Sequence, residues 1–429
     1  MMKKILAVLL GACMLLGCAA FAACGGGGGG GGGGTGEEVD ITYWNLLTGA
    51  DGTVMRQMVE DFNEEYEGRI YVSEQSANED VYYDNLNLNI PIGRGPDVAI
   101  MHSYRVQSYA NQGLLYAADD LISQAGIDMA DFPEQIVQSL QFNGSTYAIP
   151  LDMHPLGIYY NKTLLAQYGC EVPTTRSELI AAAQKADNAE GGVWGFPIAS
   201  GWPSDYTYTT ALYQFGGVEV KDGDQPGFNT EAGRSALQSL TDLLHTYHLS
   251  PTSLGNDQDL MYFRSGDALF HINGVWMLNS LKTSNVDFGV IPLSRMFNPE
   301  SDTVAVRSHT FVFPRQNRQD DEKLAAAAEF VKWMTENSHV WATAGQVPAS
   351  ARARETQEYK DLEYVHDFGD VSTFRIGVSS PFYFEAYTPI YSRIVAAMQT
   401  PSYDAVLLLN QAEEEGIKLV REAKEMLGQ

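Results

Sequence analysis

The sequence predicts an α/β protein built as two lobes, and three observations carry that reading. Its 429 residues are too many for one compact core. From Val39 onward, short β-branched and aromatic runs alternate with amphipathic stretches, the pattern of a mainly parallel sheet covered by helices on both faces. In the stretch Tyr147–Lys162, two apolar runs, Tyr147–Leu151 and Leu156–Tyr160, flank a polar elbow of Asp152, Met153, His154 and Pro155. Pro150 and Pro155 stiffen this segment and hold the residues before them extended. It reads as a rigid crossing between domains, with an acid and an imidazole facing the cleft. A buried strand pair with a polar turn is the alternative that periodicity leaves open.

Taken in order, Val39–Leu47 is expected as the first strand, Asp51–Glu67 as a helix and Arg69–Glu74 as the second strand. A helix over Glu79–Leu88 leads to the Gly95-Pro96-Asp97 turn and a third strand, Val98–Met101. Ligands of such sheets bind beyond the carboxyl ends of the strands. Those ends carry Trp44, Asn45 and Thr48 after the first strand, and His102, Ser103, Tyr104 and Arg105 after the third. Past the crossing, Ser177–Asp187 and Asn229–His248 read as helices, and Gly201–Tyr206 as a loop before another helix. Phe263–Trp276 runs from a helix end through a turn and strand into the next helix. Val286–Leu293 and Thr303–Pro314 are expected as strands, Asp320–Glu336 and Ser402–Leu427 as helices. Nothing in the closing helix signals a dimer, so a monomer is expected.

Apolar content of 45% with 11% aromatics marks a globular chain. Lys and Arg total 27 against 54 Asp and Glu, a net charge of −27 that repels phosphate backbones and anionic lipid faces. Nucleic acid is excluded as a partner class. Lys3-Lys4, an apolar run from Ile5 to Leu16 and small residues up to Ala23-Cys24 have the layout of a secretory signal. Phe21-Ala22-Ala23-Cys24, followed by the glycines Gly25 to Gly34, resembles the cleavage region of bacterial lipoproteins. Residues 1–24 are therefore expected as a signal ending at a lipidated Cys24, with Cys18 as the competing site, and 25–38 as a tether. Such a glycine coil spans roughly 17 Å on average and about 35 Å when stretched. The expected place is the outer face of the cell membrane, held by acyl chains. Cys170 is then the lone remaining cysteine, which excludes an intrachain disulfide or a multi-cysteine metal site.

Several segments together resemble the family 1 extracellular solute-binding proteins of ABC importers, the group containing the maltose-binding protein. They are Gly95-Pro96-Asp97-Val98, Tyr109–Leu115, Ile158–Lys162, Phe263–Trp276, Phe288–Pro292 and Gly345–Ala349, in the family's order and spacing. The resemblance implies a two-lobed, periplasmic-binding-protein-like fold of type II with ligand held between the lobes. Three crossings are expected near Ile149–Leu151, Phe288–Ile291 and Thr335–Asn337. One lobe would comprise 39–149 with 292–335, the other 150–291 with 336–429. Alignment with the maltose-binding protein puts Met101 at the place of a stacking Trp and Tyr104 at that of a hydroxyl-binding Asp. Arg105 matches an Arg, His154 replaces a contacting carboxylate, Trp276 matches a stacking Trp, and Tyr383 lies near another aromatic platform. The departures at Met101, Tyr104 and His154 argue against maltose itself. The implied role is binding a sugar or oligosaccharide and delivering it to a permease, without cofactor and without catalysis.

A pyranose has apolar C–H faces and a hydroxyl rim, which flat rings and charged tips respectively satisfy. The candidate platforms are Trp44, Trp202, Tyr206, Trp276 and Tyr383. The candidate polar readers are Arg105, Asp152, His154, Asp205, Arg307, His309 and Glu385, with Asn45, His102, Ser103 and Tyr104 at the strand ends. Three rival readings remain: a metal site, a glycoside hydrolase and a polyamine binder. His102, His154 and His309 each fall near a strand end and supply enough imidazole for an open zinc site, but none has the HxxxH or HxH spacing, so no metal is expected. Tyr159-Tyr160 resembles the twin tyrosines of ferric-iron binders, yet adjacent strand residues face opposite sides. A glycoside hydrolase would need two carboxylates across one bond, such as Asp152 with Glu385 or Asp205. The acidity also suits a polyamine, which Arg105 and His154 would oppose.

Overall fold

The computed structural model describes residues 37–187, 192–377 and 379–429. The expected signal, Cys18, Cys24 and the glycine tract lie outside them. The chain first lays down strands β1 (Val39–Asn45), β2 (Ile70–Ser76), β3 (Val98–His102) and β4 (Ala148–Pro150). It leaves that sheet at Leu151 for β5 (Asp152–Asn161), to which β6 (Phe270–Gly274), β7 (Phe288–Pro292) and β8 (Val304–Arg307) are added. At Ser308 it returns to the first sheet with β9 (His309–Val312), and β10 (Val347–Pro348) and β11 (Phe374–Arg375) complete the second.

The first sheet has the order β2-β1-β3-β9-β4. β1 runs parallel to β2 and β3, as the intervening helices Ala50–Glu65 and Glu79–Asn89 require, and β9 is antiparallel to both its neighbours. Period-2 alternation buries both faces. Val98 and Ile100 join Phe62, Phe330 and Trp341, whereas Ala99 and Met101 join Tyr82 and Tyr83 on the other side. Met101 is thus a core residue and offers nothing to a ligand.

β5 is the spine of the second sheet. Its first residues pair with β10 and β8, and its later ones with β6 and β7, all antiparallel. The expected polar elbow is therefore narrower than the sequence suggests. Leu151 alone makes the bend, and Asp152–His154 already belong to the strand. Pro155 is tolerated where β5 changes partners. Helices Ser204–Gln214, Glu231–His245, Pro389–Gln399 and Ala405–Leu427 pack together beside this sheet. The second of these shows why: Ala236, Leu237, Leu240, Leu243 and Leu244 form one buried stripe, and Thr230 caps it by accepting the Gly233 N–H.

The first sheet change falls at Leu151, within the expected Ile149–Leu151, but the other two differ from expectation. A crossing at Phe288–Ile291 is overturned because β7 is paired to β5 from end to end. The expected single strand Thr303–Pro314 is instead two, and the switch is Ser308 between them, so β8 lies in the second sheet. The third crossing falls after Trp341, which is still in the first-sheet core, and before β10, which pairs with β5. No helix among the described residues is long and apolar enough to cross a membrane.

Candidate ligand cleft

Where the crossings meet, strand pairing gathers residues from distant parts of the chain. β3 ends at His102 directly opposite His309, the first residue of β9. β8 ends at Arg307 opposite His154 of β5. Three buried imidazoles result, with ring centroids 4.4 Å apart for His154–His309, 5.0 Å for His102–His309 and 5.7 Å for His102–His154. Beneath them Asp152 is wholly buried and accepts four hydrogen bonds. They come from His154 Nδ1 at 3.2 Å, His309 N–H at 2.9 Å, His309 Nδ1 at 2.8 Å and Trp341 Nε1–H at 2.8 Å.

The electrostatics follow from that wiring. Burial alone would raise the Asp152 carboxyl, but the His309 charge and the bonds from both imidazoles outweigh it and hold it below the usual range. Burial disfavours the His309 imidazolium, yet Asp152 raises it. Burial and the neighbouring His309 lower His154 to about 4, and burial with both other imidazoles lowers His102. The floor is therefore a carboxylate at Asp152 that favours the His309 imidazolium beside it, with His154 and His102 pushed toward neutral rings.

Above this floor opens a cavity of about 540 Å³, within the size range of small-molecule sites. On one side the rings of Trp202 and Trp276 lie 6.0 Å apart at 27°. Trp276 turns back over Gly274, where any Cβ would come within 2.1 Å of its ring, so glycine is required there. Asn256 holds the Trp202 loop by accepting the Trp202 N–H at 3.1 Å. Arg307 pairs with Asp205 at 3.2 Å and stands 4.3 Å over the Tyr206 ring; burial opposes its charge, but Asp205 stabilises it. On the other side Tyr104 stacks on His102 at 5.2 Å, and the Arg105 guanidinium lies between the Tyr83 ring at 3.7 Å and the Phe384 ring at 4.2 Å.

Among the expected site residues, His102, Tyr104, Arg105, His154, Trp202, Asp205, Trp276, Arg307 and His309 line this cavity. The others lie off its surface for identifiable reasons. Trp44 packs against the core. Asn45 closes the turn after β1, accepting the Leu47 N–H and donating to Glu74. Ser103 starts a helix beside a smaller cavity near Glu219. Asp152 is screened by the histidines it holds. The Tyr206 hydroxyl joins β5 to β8, donating to the His154 carbonyl at 2.7 Å and accepting the Arg307 N–H at 2.8 Å. Tyr383 donates to buried Glu219 at 2.8 Å. Glu385 belongs to the helix Tyr383–Tyr387, which packs against Ala405–Leu427.

Sequence reasoning passed over other lining residues. Asp51, Glu79 and Asp80 sit in the first turns of the helices after β1 and β2. The strand-end rule that selected His102 would have found them. Tyr391, Phe384 and Gln346 reach the cavity through tertiary packing alone. Gln346 is fully buried, and neither polar atom of its amide has a partner among the described residues.

Comparison with known proteins agrees with this architecture. The family described as bacterial extracellular solute-binding protein matches residues 57–365. The maltotriose-binding protein of Pyrococcus abyssi is 25% identical over 351 residues, covering 78% of this chain and 72% of that protein. The galactooligosaccharide-binding protein of Bacillus subtilis is 22% identical over 325 residues, covering 72% and 74%. In fold, the chain is similar to a two-lobed ABC substrate-binding protein of Listeria monocytogenes solved with cycloalternan, with a TM-score of 0.76 at 18% identity over 89% of this chain and 99% of that one. The chain belongs to the bacterial extracellular solute-binding proteins.

Proposed function

We propose that this protein captures a sugar or oligosaccharide outside the cytoplasm and delivers it to the permease subunits of an ABC importer. The observation that carries this reading is the Trp202–Trp276 pair beside Arg307–Asp205 in one cavity. Flat apolar faces next to charge-assisted hydrogen-bonding groups match a pyranose, and each hydrogen bond to a charged group contributes about 1.5–3 kcal/mol. The partner-free amide of Gln346 adds a donor and an acceptor for hydroxyls. The names of the maltotriose- and galactooligosaccharide-binding relatives support the same class.

Transport follows from a hinge equilibrium. Ligand bridging both walls is bound only when the lobes close, so its binding energy biases closure, and the closed form presents both lobes to the permease. A monomer tethered through lipid on Cys24 would stay beside that permease. Hydrolysis is a poorer reading, because Asp152 spends its oxygens on four donors and Glu385 lies off the cavity.

A thermal-shift screen against mono- and oligosaccharides, followed by calorimetry, tests the proposal. Stabilisation by at least one carbohydrate, recovered intact after incubation, is expected. Stabilisation by polyamines with no response to any carbohydrate would replace it, as would cleaved product.

A further inference from the structure

Three of the chain's eight histidines meet at the cleft floor. All are buried, all border the cavity, and one ring nitrogen of each lies within 4.8 Å of those of the other two. Their arrangement goes beyond proximity. Each Nδ1 is engaged from behind: His102 by the Tyr83 hydroxyl at 2.8 Å, His154 and His309 by the two oxygens of Asp152 at 3.2 and 2.8 Å. That leaves the three Nε2 atoms for the cleft. Imidazoles that ligate metal are held in this manner, the second ring nitrogen donating to a carboxylate or another fixed acceptor that sets tautomer and orientation.

The electrostatic setting also admits a cation. Asp152 lies directly below, and Asp51, Glu79, Asp80 and Asp205 border the cavity against Arg105 and Arg307. Three imidazoles at about 2.0–2.1 Å from a zinc ion complete a three-protein-ligand site with one position open. Closing the rings onto one ion from their present separation takes a shift on the order of 1 Å.

We propose that His102, His154 and His309 hold a zinc-class divalent cation through Nε2, any proton on the His309 Nε2 passing to solvent as the metal binds, with the open position facing the cleft and available to an oxygen of the bound solute. This site does not depend on which solute the cleft takes. The absence of local HxxxH or HxH spacing is no obstacle, because strand pairing supplies the convergence.

The test is titration of the chelator-stripped full-length protein with Zn²⁺ by calorimetry, and with Co²⁺ by visible absorption. One equivalent of Zn²⁺ with micromolar or tighter affinity is expected, together with the intense visible bands of four- or five-coordinate Co²⁺. His102→Ala, which leaves Asp152 with all four of its donors, should weaken Zn²⁺ binding about tenfold or more with an unchanged circular dichroism spectrum. His366→Ala, at an exposed site, should not change it. No stoichiometric Zn²⁺ uptake by the wild-type protein would overturn the proposal whatever the variants do. So would full Zn²⁺ affinity in folded His102→Ala, which would mark an adventitious site elsewhere. Carbohydrate binding measured on stripped and Zn²⁺-loaded protein in parallel keeps failure here separate from failure of the transport reading.

Discussion

At the cleft floor, Asp152 is fully buried and every hydrogen bond it accepts comes from within the protein, whereas on the adjoining wall Trp202 borders the cavity and is 41% exposed. The floor joins the two sheets: Asp152 and His154 open β5, while His309 opens β9 of the other sheet. The wall belongs to the second lobe, with Trp276 following β6 and Trp202 in the loop before Ser204–Gln214. The difference separates two tasks. A group whose partners are already inside the protein holds the lobes in register. A group with a free face or a free amide gains most from a ligand. Gln346 is the intermediate case, buried like the floor yet unpartnered like the wall.

Four substitutions test that division. The largest effect is expected for Asp152→Ala, which strips four donors of their acceptor and leaves His309 without its counter-ion. Removing one member of a buried pair costs about 3–5 kcal/mol, read by urea denaturation. A loss below about 1 kcal/mol would show that the floor does not join the lobes. Next comes Trp276→Ala, which should weaken carbohydrate binding about tenfold or more, about 1.4 kcal/mol, without abolishing cooperative unfolding. Unchanged calorimetric affinity would remove that ring from the site. Gln346→Leu should lower affinity severalfold while leaving the ligand-free protein as stable or up to about 1 kcal/mol more so, since an unsatisfied buried amide is removed. A destabilised variant with normal affinity would place the amide in the framework instead. The smallest effect is expected for Trp202→Phe, which keeps a flat face and should cost about 0.5 kcal/mol of binding. A larger loss than for Trp276→Ala would reverse the ranking of the two platforms.

The alternation of strands and helices was legible from Val39 to His102, because each element there carries its own periodicity and turn residues. Met55, Met58, Val59 and Phe62 mark the buried stripe of the first helix, and Gly95-Pro96-Asp97 announces β3. Reading β5 was harder. Pro155 argues for a break, yet the strand runs through it, because what a proline forfeits depends on which neighbour its missing N–H would have faced. Tyr206 and Tyr383 illustrate the limit for the site. Both are aromatic and close to the cleft, and both turn their hydroxyls to internal acceptors instead. Sequence identifies a ring but not the direction of its polar end.

What the sequence determined by itself is whatever neighbours along the chain decide: the period of each strand and helix, the caps and turns between them, and the ordered segments of a solute-binding family. What the tertiary structure decided is everything carried by strand register. His309 reaches Asp152 across 157 residues of chain, and the switch between sheets falls at Ser308 because β8 and β9 each find a different partner. Pairing over such distances is chosen by the burial of whole sheet faces, where a slip of one residue would reverse every side chain. No local stretch contains that information, so the histidine floor emerges only once both sheets are assembled.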